Sequence, residues 1–157
     1  MRELADQLEM KLGNLQYYFK TREALILEVM SLEGAKDVEI IKHHLQVAES
    51  PGDALDAIVS ELVSRWRSKS GVLYSILGTL SLHNKLFRKL YREIYVEFYA
   101  TLESLLQDLN PGLSDDDIKT RVRLITALID GSAMQIRSGK ADDYLAAIRA
   151  RVKELTV

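Results

Sequence analysis

Apolar residues recur at helical spacing through almost the whole chain, and no stretch alternates apolar and polar side chains with the period of a strand. Leu4, Ala5 and Leu8 share one face of a first short helix over about residues 2–8, and a second fits residues 12–18 with Leu15 and Phe19 pointing inward. The intervening Glu9-Met10-Lys11 has the length of a helix-turn-helix turn. Thr21 is placed to cap a long amphipathic helix over about residues 22–47, with Leu25, Leu27, Val29, Leu32, Val38, Ile41 and Leu45 as its apolar positions. Gly34 is its weak point, because glycine costs about 1 kcal/mol against alanine inside a helix.

Ser50-Pro51-Gly52-Asp53 reads as a helix start, with a Ser cap, Pro at the first helical position and an acid beside the helix dipole. Behind it Leu55, Ile58, Val59, Leu62, Val63 and Trp66 form one continuous apolar face that ends near Ser70-Gly71. A short, almost uncharged helix over about residues 72–82 lacks a polar face, which predicts enclosure by other helices. A longer one over about residues 84–109 buries Phe87, Leu90, Tyr91, Ile94, Tyr95, Phe98, Leu102, Leu105, Leu106 and Leu109. Asn110-Pro111-Gly112 stops it, and Ser114 followed by three aspartates starts the next, over about residues 115–138. There Ile118, Val122, Ile125, Leu128, Ile129 and Ile136 are the apolar positions, and Ala127, Gly131, Ser132 and Ala133 make a small-residue surface. The last helix, about residues 142–155, repeats Leu145, Ile148, Val152 and Leu155 at spacings of 3, 4 and 3, the seam of a helix packed lengthwise on another. The expected fold class is all-α.

Composition narrows the function. A chain of 157 residues can bury one sizeable core, or a small head on a larger one. With 47% hydrophobic and 28% charged residues and only 2 Pro, it is a folded helical chain and neither disordered nor all-β. Net charge is -2, and the first thirty residues carry four basic and five acidic side chains, so bulk charge does not hold this protein on nucleic acid. Any such role needs a local constellation and two copies acting together. The absence of cysteine excludes disulfides, thiol catalysis and cysteine-based zinc sites, and fits a reducing cytoplasm, the expected location. The N-terminus has no apolar core of signal-peptide type, and the longest uncharged run, residues 70–84, is too short to span a bilayer, so no membrane partner is expected.

The run RELADQLEMKLGNLQYYFKTREALILEVM places Leu4-Ala5, the cluster Leu15-Gln16-Tyr17-Tyr18-Phe19 and the helix start Thr21-Arg22-Glu23-Ala24-Leu25 in fixed order and spacing. It resembles the DNA-binding region of the TetR family of transcriptional regulators. The resemblance implies a partial helix-turn-helix over residues 1–30 and a helical effector-binding and dimerisation domain over residues 31–157. It implies a ligand-responsive repressor that binds double-stranded operator DNA as a homodimer. Lys11, Asn14, Gln16 and Tyr17 would then face base edges, and Tyr18, Lys20 and Thr21 the phosphates. Two residues depart from the family pattern. Glu9 stands where the family commonly has Gly, which would strain a left-handed backbone, and Gln16 stands where an aromatic residue is frequent.

Leu128-Ile129-Asp130-Gly131 also looks like a recurrent feature of the family's penultimate helix, which with the last helix builds the dimer. Val122, Ile125, Ile129, Ser132, Leu145, Ile148 and Val152 are the expected interface residues, the alternative being that both faces fill the monomer core. Trp66, Tyr74, His83, Phe87, Tyr91, Tyr95 and Met134 are the candidates for contact with a small-molecule effector.

No cofactor or metal is expected, and an enzyme fits poorly. There is no His-Glu-x-x-His, no Glu-x-x-His pair, no Gly-x-Ser-x-Gly and no phosphate-binding glycine loop. Neighbouring His43 and His44 point about 100° apart on a helix and read as solvated. The stronger rival is a helical dimerisation or ligand-binding module that does not bind DNA, because the chain starts without the family's first helix, whether through truncation, a mis-set start or a real short form. On that reading these 157 residues alone bind operator DNA weakly, and a version extended upstream binds it specifically.

Overall fold

The computed structural model describes residues 1–67, 69–135 and 141–156, with the side chains of 69, 70, 133–135 and 141–143 left aside. Met134 and Ile136 therefore lie outside the described side chains. Among the described residues the chain is helical without strands: α1 (Arg2–Gln7), α2 (Leu12–Tyr18), α3 (Arg22–Val47), α4 (Pro51–Trp66), α5 (Lys69–His83), α6 (Lys85–Leu109), α7 (Asp115–Gln135) and α8 (Ala141–Glu154).

The caps read from the sequence set these starts. Thr21 Oγ1 accepts from the Ala24 amide at 3.1 Å. Ser50 Oγ accepts from the Asp53 amide and Ser114 Oγ from the Asp117 amide, each at 3.2 Å. Each such cap stabilises its helix by about 1 kcal/mol. At the junction of α5 and α6, Arg88 donates to the carbonyls of Ser81 and Leu82, at 3.0 and 2.9 Å, and closes the C-terminus of α5.

Helix α4 is the hub, packed on α3, α5, α6, α7 and α8. Its face of Leu55, Ile58, Val59, Leu62, Val63 and Trp66 is buried throughout, and each fully buried aliphatic side chain contributes roughly 1.5–3 kcal/mol. Around it Ile41, Phe98, Leu102, Leu105, Leu106, Ile118, Val122, Ile125, Ile129, Ile148 and Val152 complete the main core. A second, smaller cluster of Met30, Leu77 and Phe87 joins the first half of α3 to α5 and α6.

Helices α3 and α5 depart most from their sequence pattern. On α3 the buried stripe is Met30, Gly34, Asp37, Val38 and Ile41, while Val29, Leu32 and Leu45 face outward. Gly34 is no weak point: a Cβ there would meet the Ile94 side chain at 2.7 Å, so the glycine lets α3 and α6 approach closely. On α5, Leu77 is buried but Val72, Ile76 and Leu82 are exposed. The missing polar face predicted enclosure, whereas α3, α4 and α6 cover α5 on one side and leave the other uncovered.

Candidate functional site

Two constellations stand out, one outward and one inward. The first is on α2. Leu15 is buried and anchors the helix against α1, where Ala5 is the buried residue. Everything polar around Leu15 points away: Lys11, Asn14, Gln16, Tyr17, Tyr18 and Lys20 are all exposed. The Tyr17 and Tyr18 rings meet edge to face at 5.2 Å, and Lys20 Nζ lies 5.6 Å from the Tyr17 ring centre. Thr21 is exposed too, with its hydroxyl engaged as the cap of α3. Glu9, in the turn before α2, has φ 52, the left-handed conformation that made its identity a concern. A short helix with two amides and two phenols on its outer face, and a lysine beyond each end, can hydrogen-bond to base edges and phosphates.

The inward constellation lies between α3, α4, α5, α6 and α7. Asp37, almost wholly buried, accepts from Arg65 Nε at 2.6 Å and from Trp66 Nε1 at 2.7 Å, and Arg65 also bonds Glu33. Trp66 stacks on Tyr74 with ring centres 4.6 Å apart. The Tyr74 hydroxyl is buried beside Asp37 and makes no hydrogen bond of normal geometry among the described residues. Burial and the Asp37 charge together push the Tyr74 phenol well above its ordinary range.

On α6, Tyr91, Tyr95 and Tyr99 recur every four residues and form a stripe, with ring centres 4.6 and 5.6 Å apart along it. Tyr95 donates its hydroxyl to Asp130 Oδ2 at 2.7 Å, and Asp130 Oδ1 is buried with no hydrogen-bond partner among the described residues. Burial pushes the Asp130 carboxyl up to about 6; the Tyr95 bond works against this and the Asp37 charge adds to it. Burial and Asp130 in turn raise the Tyr95 and Tyr99 phenols. Among the described residues no group of His, Cys, Asp or Glu is arranged to hold a metal ion.

A family model described as BetI-type transcriptional repressor, C-terminal, matches residues 51–156, about two thirds of the chain. The chain belongs to the TetR family of transcriptional regulators. Solved structures agree in fold. A putative transcriptional regulator from Pseudomonas aeruginosa PAO1 superposes with a TM-score of 0.83 at 15% identity, over 99% of this chain and 79% of that one. A TetR transcriptional regulator from Legionella pneumophila gives 0.81 at 13% identity, over 98% and 83%. No curated protein matches the chain. No described helix is long and apolar enough to cross a membrane.

Against this TetR-family frame the sequence candidates separate. Trp66, Tyr74, Tyr91 and Tyr95 come together in the inward constellation. His83 does not: it is exposed at the end of α5. Phe87 is buried in the cluster with Met30 and Leu77, against which Tyr91 also packs. His44, read as solvated, is half-buried with Nε2 2.6 Å from Glu61 Oε2, while His43 is exposed.

The residues expected at a dimer interface require correction. Val122, Ile125, Ile129, Ser132, Ile148 and Val152 are buried inside the single chain, at most 4% exposed, and Leu145 packs against the same core. In the single chain the α7 residues of this seam face α4 and α6, and those of α8 face α4 and α7. Sequence reasoning missed Glu33, Asp37, Arg65 and Tyr99, and met Asp130 only as part of a family-like run. The signal for Asp37 was its position seven residues after Met30, an acid in phase with the buried stripe of α3.

Proposed function

We propose that this regulator is a ligand-responsive repressor that binds operator DNA as a homodimer. In this reading residues 1–30 form the reading head, and residues 31–157 hold the effector pocket and dimer contacts. The single observation that carries the DNA reading is the outer face of α2, where Lys11, Asn14, Gln16, Tyr17, Tyr18 and Lys20 are exposed together while Leu15 alone is buried. Asn14 and Gln16 suit bidentate pairing with adenine, and Lys11, Tyr18, Lys20 and Thr21 suit phosphate.

The dimer in this reading uses the outer faces of α7 and α8. Thr120, Leu124, Ala127 and Gly131 recur at spacings of 4, 3 and 4, with Leu124 49% exposed, and Tyr144 on α8 is 42% exposed. Small and apolar residues at that spacing let two helices approach lengthwise. A ligand in the body then shifts the chain between two arrangements of the heads that differ in DNA affinity.

One observation favours a second reading, a module that does not hold DNA. Leu8, expected on the inner face of α1, is 57% exposed, which leaves Ala5 and Leu15 as the buried residues of the α1–α2 pair. Selection of duplexes from a random pool, followed by mobility-shift titration over a range of salt concentrations, separates the two. The repressor reading expects an enriched sequence, bound by two chains, with affinity falling steeply as salt rises. No enrichment over random duplex overturns it in favour of the second reading.

A further inference from the structure

Positive charge is unevenly placed along the chain. Residues 62–92 carry seven basic side chains and no acidic one, so all 23 acids of the chain lie outside this stretch. Four of the seven, Lys85, Arg88, Lys89 and Arg92, sit on the first two turns of α6, and all four are exposed. Arg88 closes the end of α5, and Lys89 has Glu93 at 3.6 Å. Lys85 and Arg92 have no ion-pair partner among the described residues. Lys85, Lys89, Arg92 and Val96 follow one another at spacings of 4, 3 and 4 on an uncovered face, where Val96 is 66% exposed.

Packing fixes which end of the body these cations occupy. Phe87 clusters with Met30, the Ile94 side chain lies against the Gly34 position, and Glu97 pairs with Lys42 at 3.0 Å. Helix α6 therefore runs in the same direction as α3 and starts abreast of residues 26–30. At 1.5 Å per residue, Met30 is about 12 Å along α3 from the point where α2 joins it. The start of α6 is thus the end of the body nearest the α1–α2 pair, while exposed Asp108, Asp115, Asp116 and Asp117 mark the opposite end. With four basic and five acidic side chains over residues 1–30, the reading head gives a polyanion little hold by charge. The concentrated positive charge lies on the adjoining end of the body.

Resting on the operator-binding reading above, we propose that Lys85, Lys89 and Arg92 make a second DNA contact, through which the body of each chain grips phosphates of the duplex flanking the stretch read by α2. Phosphate contacts carry no sequence information, so this surface adds affinity and salt dependence without changing which sequence is read.

Fluorescence anisotropy over a salt series tests this, with the duplex enriched from a random pool either cut to its enriched core or extended by about one helical turn on each side. The full chain is expected to bind the extended duplex about tenfold more tightly than the core. Lys85→Gln/Lys89→Gln/Arg92→Gln is expected to lose that gain, to lower the slope of log affinity against log salt by about one for each contact removed, and to keep the preference for the enriched core over random duplex. Its fold is checked by circular dichroism and thermal melting. Lys36→Gln/Lys42→Gln/Lys153→Gln removes the same charge elsewhere and should keep most of the gain. An unchanged slope and length dependence in the first variant overturns the α6 contact and leaves the reading of α2 standing. An equal loss in the second variant also overturns it, because net charge alone then accounts for the effect. If no sequence is enriched, the same series is run on random duplex: salt-dependent binding lost only in the first variant supports the α6 contact and overturns the reading of α2. Binding of no duplex at all overturns both.

Discussion

Between Arg2 and Phe19 the chain buries two apolar side chains, Ala5 and Leu15, whereas α4, with 16 residues, buries seven from Ala54 to Trp66. The two stretches are of similar length and both are helical, so propensity does not separate them. What separates them is the number of neighbours. Helix α4 is surrounded by five others, while α1 and α2 pack mainly on each other. Isolated helices of six and seven residues are not stable in water. The α1–α2 pair therefore depends on a few contacts and on the capped start of α3, and it spends its polar side chains on an outer face. The α4–α8 region has stability in reserve, and between it and α3 lies a buried set of charges.

The sharpest way to break this comparison is to remove the polar centre that ties α3 to the stable region. Asp37→Ala leaves the Trp66 N–H without its acceptor and Arg65 without one of its two carboxylates, inside the packing of α3 on α4. Breaking a buried pair from one side costs about 3–5 kcal/mol. The midpoint of urea unfolding should fall accordingly. A loss under about 1 kcal/mol would mean that the network is solvated and the core less robust than its burial implies.

Next in size is the pH dependence of the same region. Asp130 has a folded pKa of about 6 against 3.8 for the free side chain. The folded chain thus holds this proton where the unfolded chain has released it, so the group's contribution falls as pH rises from about 4 to about 6. The total is about 3 kcal/mol. Tyr95 donates to the carboxylate and Asp37 repels it, with Tyr91, Tyr99 and Arg123 close by. The wild type should lose stability relative to Asp130→Asn across this window, read by thermal melts at matched ionic strength. Parallel curves for the two proteins would show that Asp130 is not perturbed by burial.

The contrast between the two regions also governs what the sequence made legible. Helix limits and caps followed from Thr21, Ser50, Ser114 and the Pro-Gly stops, because capping is local chemistry that the order of residues records. The face of α4 followed from periodicity because one helix surrounded by others must be apolar in phase. The faces of α3 and α5 did not follow. On α3 a buried acid and a buried glycine carry the inner stripe, and hydrophobicity cannot find either. On α5 both sides are apolar and only tertiary packing decides which is covered. In the inner constellation the aromatic members were visible as candidates. Asp37, Arg65 and Asp130 were not, since a charged residue becomes a core residue only through partners from other helices. The α7–α8 seam was read correctly as apolar and assigned to the wrong neighbour. A 3-4-3 spacing says that a helix packs lengthwise, not whether the partner belongs to the same chain.

A smaller effect probes the fragile side. Leu15→Ala deletes most of the buried surface that α2 offers to α1, at a cost of about 2 kcal/mol. Amide exchange protection should disappear from residues 2–19, while the melting of the α4–α8 region stays in place. A matching fall in both regions would mean that the head and body unfold as one unit.

The smallest expected change acts on one backbone torsion. Glu9 sits at φ 52, where an L side chain costs about 1–2 kcal/mol and glycine costs nothing. The turn is held there by the Glu9 amide on the Asp6 carbonyl at 3.1 Å and the Met10 amide on the Ala5 carbonyl at 3.0 Å, and neither bond involves the Glu9 side chain. Glu9→Gly relieves the strain and gives back part of the gain through the larger freedom of the unfolded chain, for a net stabilisation of about 0.5–1 kcal/mol. Because α1 and α2 have little else in reserve, this should appear as slower amide exchange at Met10 and Leu15, with no change in the α4–α8 melt. The same substitution in a core helix would be lost against the packing energy; here it is a measurable share of all that holds the pair together. Faster exchange in the variant would show that the left-handed turn is not what limits the stability of this region.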